Sequence, residues 1–187
     1  MSAAVRVWVR VWDPLLRIAH WTLVASILAT WITAELKTDA AKRAHEWVGY
    51  AALAVIALRI AWGWIGPRHA RFAQFIRPPA ETLSYARAVI AHTEHRYIGH
   101  NPLGGWAVVA LLALTAASGL SGWLSVTDRF WGVEWMQELH EALANTLYLF
   151  VGLHLAGVAF TSWRHRENLV AAMLTGRKNA PQPGDID

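Results

Sequence analysis

The stretch LHEALANTLYLFVGLHLAGVAFTSW, Leu139 to Trp163, decides how this chain folds. A bilayer core about 30 Å thick is crossed by a helix of about 20 mostly apolar residues, and this run has that length and character. It nevertheless carries two histidines, His140 and His154, fourteen residues apart. That spacing is close to four helical turns, so both rings share nearly one face and lie about 21 Å apart along the axis. An ionisable side chain in hydrocarbon is costly and marks a functional position. One helix therefore offers two such side chains at two depths.

Three further segments share this character: Pro14 to Ala34, His45 to Ile65, and Leu103 to Leu124. The expectation is an all-α membrane protein, a four-transmembrane-helix bundle. With 55% hydrophobic and 16% charged residues in 187, and a positive mean hydropathy, the chain is too apolar for a soluble domain of its size. Twelve tryptophans fit the interfacial belts where amphipathic rings sit at headgroup level. The lack of cysteine excludes disulfides, thiolate-held iron–sulfur clusters, Cys-based zinc sites and covalent haem attachment through C-x-x-C-H.

Asp13 before Pro14 predicts a capped helix start. The N-terminal residues do not read as a cleavable signal, because Arg6, Arg10 and Arg17 interrupt them, so the first span is expected to act as its own insertion signal. Twelve basic residues fall in the N-terminal arm, the connection from Pro67 to Pro102 and the C-terminal segment. Only Lys37, Lys42, Arg43 and Arg129 fall on the other side, which predicts both termini cytoplasmic. Within the long connection, Leu83, Ala86, Val89 and Ile90 recur at helical spacing after Pro78 and Pro79, predicting a surface helix over Ala80 to His92. Leu169, Val170, Met173 and Leu174 predict a short amphipathic C-terminal helix ending at Gly176. Residues 1–178 read as one domain and 179–187 as a flexible tail. The alternation of valines with Arg6, Trp8, Arg10 and Trp12 is strand-like. An isolated strand at a membrane surface has nothing to pair with, so an extended interfacial arm is expected there. No internal repeat or low-complexity run is present.

With both termini inside, the second and fourth spans begin at the outer surface, which places His45 and His140 at one depth. His20 lies fifteen residues before Glu35, at the outer end of the first span, and so shares the depth of His154. Two pairs result, His45 with His140 outside and His20 with His154 inside. Low-spin haem iron takes two axial imidazoles from opposite sides, so two stacked b-type haems would use all four. His69, His92, His95, His100 and His165 fall in the basic segments, where a solvated or headgroup role is expected. Arg59, fourteen residues after His45, and Arg17, three before His20, could each neutralise a haem propionate; the alternative for both is snorkelling to lipid phosphate. Gly49, one turn from His45, and Gly119, Gly122, Gly152 and Gly157 could make room for a macrocycle or for a neighbouring helix.

Taken with VWDPLLRIAHW at Val11 to Trp21, HEWVGY at His45 to Tyr50, LRIAWGWIGPRHARF at Leu58 to Phe72, GHNPLGGW at Gly99 to Trp106, the His140–Glu141 and Leu153–His154 pairs, and RHRENLVAAMLTGRK at Arg164 to Lys178, the chain resembles the bacterial cytochrome b-561 family, which includes the cytochrome b subunit of nickel–iron hydrogenases. The resemblance runs from about Val7 to Lys178. It implies two haem b groups ligated by the same four histidines, and electron exchange with the membrane quinone pool. It leaves the partner open among a c-type cytochrome, a hydrogenase and another dehydrogenase, and one branch of the family oxidises superoxide.

The expected function is transmembrane electron transfer between a periplasmic partner and quinone, with no catalytic acid or nucleophile required. Superoxide:quinone oxidoreduction at the outer haem is the enzymatic alternative. Against it, the outer segments hold Glu35, Asp39, Glu46, Asp128, Glu134, Glu138 and Glu141 against four basic residues, a face that suits a basic protein better than an anion. Lys42 and Arg43, near His45, work the other way. A haem-free histidine transporter is the third reading and predicts a colourless protein. Quinone is expected at the inner haem edge, near Arg59 and His100. Membrane lipid is a partner in every reading, nucleic acid is not, and a homodimer is left open.

Overall fold

The computed structural model describes residues 7–187. Val5 and Arg6, which contribute to the arm's alternation and to the basic count, lie outside the described residues. Four helices are long and apolar enough to cross a membrane: α1 (Pro14–Glu35), α2 (Asp39–Ile65), α5 (Pro102–Ser125) and α6 (Glu134–Arg164). They make up a helical membrane bundle. The short helices α3 (Phe72–Phe75) and α4 (Pro79–Ile90) lie between α2 and α5, and α7 (Leu169–Thr175) follows α6. Leu83 and Ile90, seven residues apart on α4, are both exposed.

Helix starts are set by local chemistry. The Asp13 carboxylate accepts from Leu16 N at 3.0 Å and Thr38 Oγ1 from Ala41 N at 3.2 Å, while Asn101 Oδ1 accepts from Gly104 N at 2.7 Å ahead of Pro102. Each satisfies an amide that the helix leaves without a carbonyl partner. α2 and α6 both start several residues before the apolar runs. Their first turns are polar, carrying Asp39 and Glu134, which suit the positive end of the helix dipole.

One compact unit comprises residues 7–17, Trp62–Val108 and Leu153–Asp187. Here two expectations change. The arm forms a true strand, β1 (Trp8–Arg10), paired antiparallel with β2 (Arg177–Asn179) in the register Trp8 to Asn179 and Arg10 to Arg177. The partner that an isolated strand lacks comes from the far end of the chain. The C-terminal residues expected as a flexible tail have partners in this unit, with residues 181–184 still exposed. Ile98 N donates to Ile186 O and Ile186 N to Arg96 O, both at 2.9 Å, while Asp187 takes Arg68 at 2.8 Å and His69 at 3.0 Å.

A charged cluster fastens this segment. Glu167 accepts from Arg96 at 2.8 Å and from Lys178 at 3.2 Å, Arg96 also pairs with Asp185, and Asn179 N donates to Glu167 at 2.9 Å. The side chains of Glu167 and Lys178 are only 5% and 4% exposed. Buried charges persist only when paired and hydrogen-bonded. Burial alone would raise the Glu167 carboxyl, but the Arg96 guanidinium and the Lys178 ammonium hold it below its ordinary range. Beside the cluster, Val11, Trp12, Leu16, Ile98 and Ala172 form an apolar core.

The second unit comprises Ile18–Ala61 and Val109–Gly152. Ala52, Ile56 and Leu147 are buried in it, and Gly119 receives the Leu53 side chain, with no room for a β-carbon. Two of its buried hydroxyls are bonded along their own helix, Thr115 Oγ1 to Leu111 O at 2.7 Å and Ser121 Oγ to Ser118 O at 2.9 Å. Hydrocarbon supplies no other partner.

Candidate functional site

His45, in the second turn of α2, and His140, in the second turn of α6, lie in the second unit with their ring centroids 6.2 Å apart and their planes at 83°. Each ring is held by the helix opposite its own. His45 Nδ1 lies 3.0 Å from Thr30 O and 3.2 Å from Thr33 Oγ1, both on α1. His140 Nδ1 lies 2.9 Å from Ser118 O and 3.1 Å from Ser121 Oγ, both on α5. A carbonyl oxygen at that distance can only face an N–H, so Nδ1 carries the proton in both rings. Nε2 is then the unprotonated nitrogen, the form in which imidazole ligates a metal.

The separation suits a shared metal centre. With a metal–imidazole bond of about 2 Å and about 1 Å from nitrogen to ring centre, two ligands on opposite sides of one ion place their centroids about 6 Å apart. The pair thus fits two-sided ligation of one iron, with both tautomers preset by backbone carbonyls.

Small residues sort by function around it. A β-carbon at Gly122 would come 2.9 Å from His140 Cε1 and 3.2 Å from Nδ1, so this glycine makes room for the His140 ring itself. Gly119 makes room for Leu53, which is helix contact. A β-carbon at Gly49, Gly152 or Gly157 would meet nothing within 4 Å. Gly49 is one turn beyond His45, and Gly152 and Gly157 flank His154. The open space beside them is what a flat macrocycle requires.

His20 lies on the part of α1 that belongs to the second unit, half-buried and edge-on to Trp21 with centroids 5.3 Å apart. His154 lies on the part of α6 that belongs to the first unit and is also half-buried. Their pairing is an expectation from axial spacing in the sequence alone. Arg59 on α2 is 5% exposed, a charge deep inside a span. Arg17 bonds the backbone of α7. Its Nε donates to Met173 O at 3.3 Å and its terminal nitrogen to Leu174 O, so it caps the end of α7. A guanidinium is favoured there because those last carbonyls have no helical partners and carry partial negative charge.

Three other histidines of the first unit have protein partners. His69 bonds Asp187, His95 Nδ1 bonds Gly184 O at 3.1 Å, and His100 packs between Trp12 and Phe75 with centroids 4.7 and 4.8 Å away. His95 stays exposed, as expected, while the Asp187 and Gly184 partners of His69 and His95 come from the far C-terminus, which composition does not reveal. Thr30, Thr33, Ser118 and Ser121 escaped the sequence reading. Their signal is present as TWIT at 30–33 and SGLS at 118–121, hydroxyls one turn apart inside apolar helices.

The profile of one known family, described as prokaryotic cytochrome b561, matches residues 11–176 and so takes in all four histidines of the spans. Neither a curated protein nor a solved structure matches the chain. Four apolar helices and a match over most of the length lead to one assignment: the chain belongs to the prokaryotic cytochrome b561 family, bacterial multi-pass membrane b-type cytochromes that bind haem b and transfer electrons.

Proposed function

We propose that this protein is a di-haem cytochrome b that carries electrons across the bacterial inner membrane between a periplasmic redox partner and quinone, with both termini cytoplasmic. His45 and His140 ligate the outer haem, and His20 and His154 the inner one. Bound haem b supplies an iron that accepts and releases one electron without a proton or a covalent intermediate. The chain's own residues do the rest: Thr30 and Ser118 carbonyls fix the two outer tautomers, Gly122 seats the His140 ring, and Gly49 leaves the adjoining face open. Arg59, buried within its span, would neutralise a propionate of the inner haem. The observation that carries this reading is the 6.2 Å separation of two imidazoles whose Nδ1 atoms are both taken by backbone carbonyls.

The surface at this end supports a basic protein as partner. All seven acidic residues of these segments, from Glu35 to Glu141, are exposed. Of the four basic ones, Lys42 is already paired with Asp39 at 3.9 Å. A cationic c-type cytochrome fits such a face better than superoxide, which negative charge repels. Superoxide oxidation predicts fast haem reduction by superoxide in stopped flow, and the present reading predicts instead fast, salt-sensitive exchange with a reduced c-type cytochrome.

A dithionite-reduced minus oxidised spectrum with pyridine haemochromogen stoichiometry tests the core. Two haem b per chain are expected, and His140→Ala should retain one. A colourless protein would sink the reading, and an unchanged haem count in His140→Ala would reject the outer pair.

A further inference from the structure

We infer that Thr33 and Ser121 are positioning residues that set the reduction potential of the iron held between His45 and His140. The inference rests on those two histidines being its ligands. The two sides of the site are built alike. On each, a Thr or Ser lies one turn after the residue whose carbonyl fixes the ring, and its hydroxyl reaches the same Nδ1, at 3.2 Å for Thr33 and 3.1 Å for Ser121.

The direction of these bonds follows from what surrounds them. Each Nδ1 must keep its proton toward a carbonyl, at 3.0 Å for Thr30 O and 2.9 Å for Ser118 O. The hydroxyl proton therefore goes elsewhere, and a carbonyl is ready for it. Thr33 Oγ1 donates to Ala29 O at 2.7 Å, and Ser121 Oγ donates to Ser118 O at 2.9 Å. Each hydroxyl oxygen is thus left to accept, and its own donated bond polarises it toward doing so. Each Nδ1–H is shared between two acceptors in a low-dielectric surrounding. A ring whose N–H is drawn toward acceptors is a more basic ligand at its other nitrogen. More basic ligands favour the oxidised iron, so both hydroxyls lower the potential.

Potentiometric titration of the full-length, haem-loaded protein tests this. The component belonging to this pair is identified as the one lost in His140→Ala. Thr33→Val and Ser121→Ala should each raise its potential and leave the other component in place. Together they should shift the equilibrium by about tenfold, about 59 mV for a one-electron couple. Thr33→Ser and Ser121→Thr, which keep a hydroxyl, should leave the potential at the native value. An unchanged potential with both haems present overturns the inference, as does a shift that the hydroxyl-keeping variants share. Should Thr33→Val lose haem, Ser121→Ala decides alone, since it removes one oxygen and leaves the Ser118 carbonyl in place. Full haem content in His45→Ala would instead overturn the ligand assignment, a separate result from an unmoved potential.

Discussion

Gly122 lies against the His140 ring, where any β-carbon would press on Cε1 and Nδ1. Gly122→Ala should push the imidazole off its Ser118 carbonyl and weaken haem retention at this pair about tenfold or more, the usual cost of disturbing a ligand's support. Haem-to-protein ratio and the low-spin spectrum report it. Gly49 gives the complementary test. Nothing in the protein stands within 4 Å of a β-carbon there, so Gly49→Leu should be tolerated by the fold and still lower the haem content. Unchanged haem content would mean that this face of α2 meets lipid. The two glycines look equivalent in sequence, and only the neighbour opposite each one tells them apart.

At the scale of elements, the C-terminal strap is held by a charged cluster rather than by apolar area. Glu167 titrates below its ordinary range in the folded protein, while an unfolded glutamate titrates near pH 4.3. Its stabilisation is therefore complete above about pH 4.3 and is lost as pH falls through the lower, folded value. Hydrogen exchange of residues 177–187 should accelerate over that acid window, and Glu167→Gln should show fast exchange already at neutral pH. Gly176 fixes where the strap begins. At φ +79° it occupies the left-handed region, and a β-carbon there would meet Trp12 O. Gly176→Ala should cost at least the 1–2 kcal/mol of left-handed strain, about the stability of one secondary contact, and loosen β1 and β2 together in the same exchange measurement. Asp13 supports the other side of this unit, accepting from both Leu16 N and Trp62 Nε1. Asp13→Ala should lower thermal stability by about 1 kcal/mol for the lost cap, plus the lost Trp62 bond.

For the whole molecule, the cysteine-free sequence is a ready background for topology mapping. A single cysteine at Glu138 should react with a membrane-impermeant maleimide from the periplasmic side, and one at Arg177 only after permeabilisation. The reverse pattern would invert the assignment of outer and inner haem while leaving the histidine pairs intact.

The four spans, the cap at Asp13, the helix in the long connection, the stop at Gly176 and the nearness of His45 to His140 were all legible in the sequence. Each depends on a local period, a capping residue or an axial distance along a helix, quantities that the chain carries within one segment. Four features were decided only by tertiary structure. The arm became a strand because its partner lies at the opposite end of the chain, and the C-terminal segment became a strap because Arg96, His69 and Arg68 wait for it on a distant connection. Arg17 turned to the carbonyls of α7, and Thr33 and Ser121 took up the rings of His45 and His140. A side chain's partner across sequence distance is set by packing, and linear spacing holds no record of it.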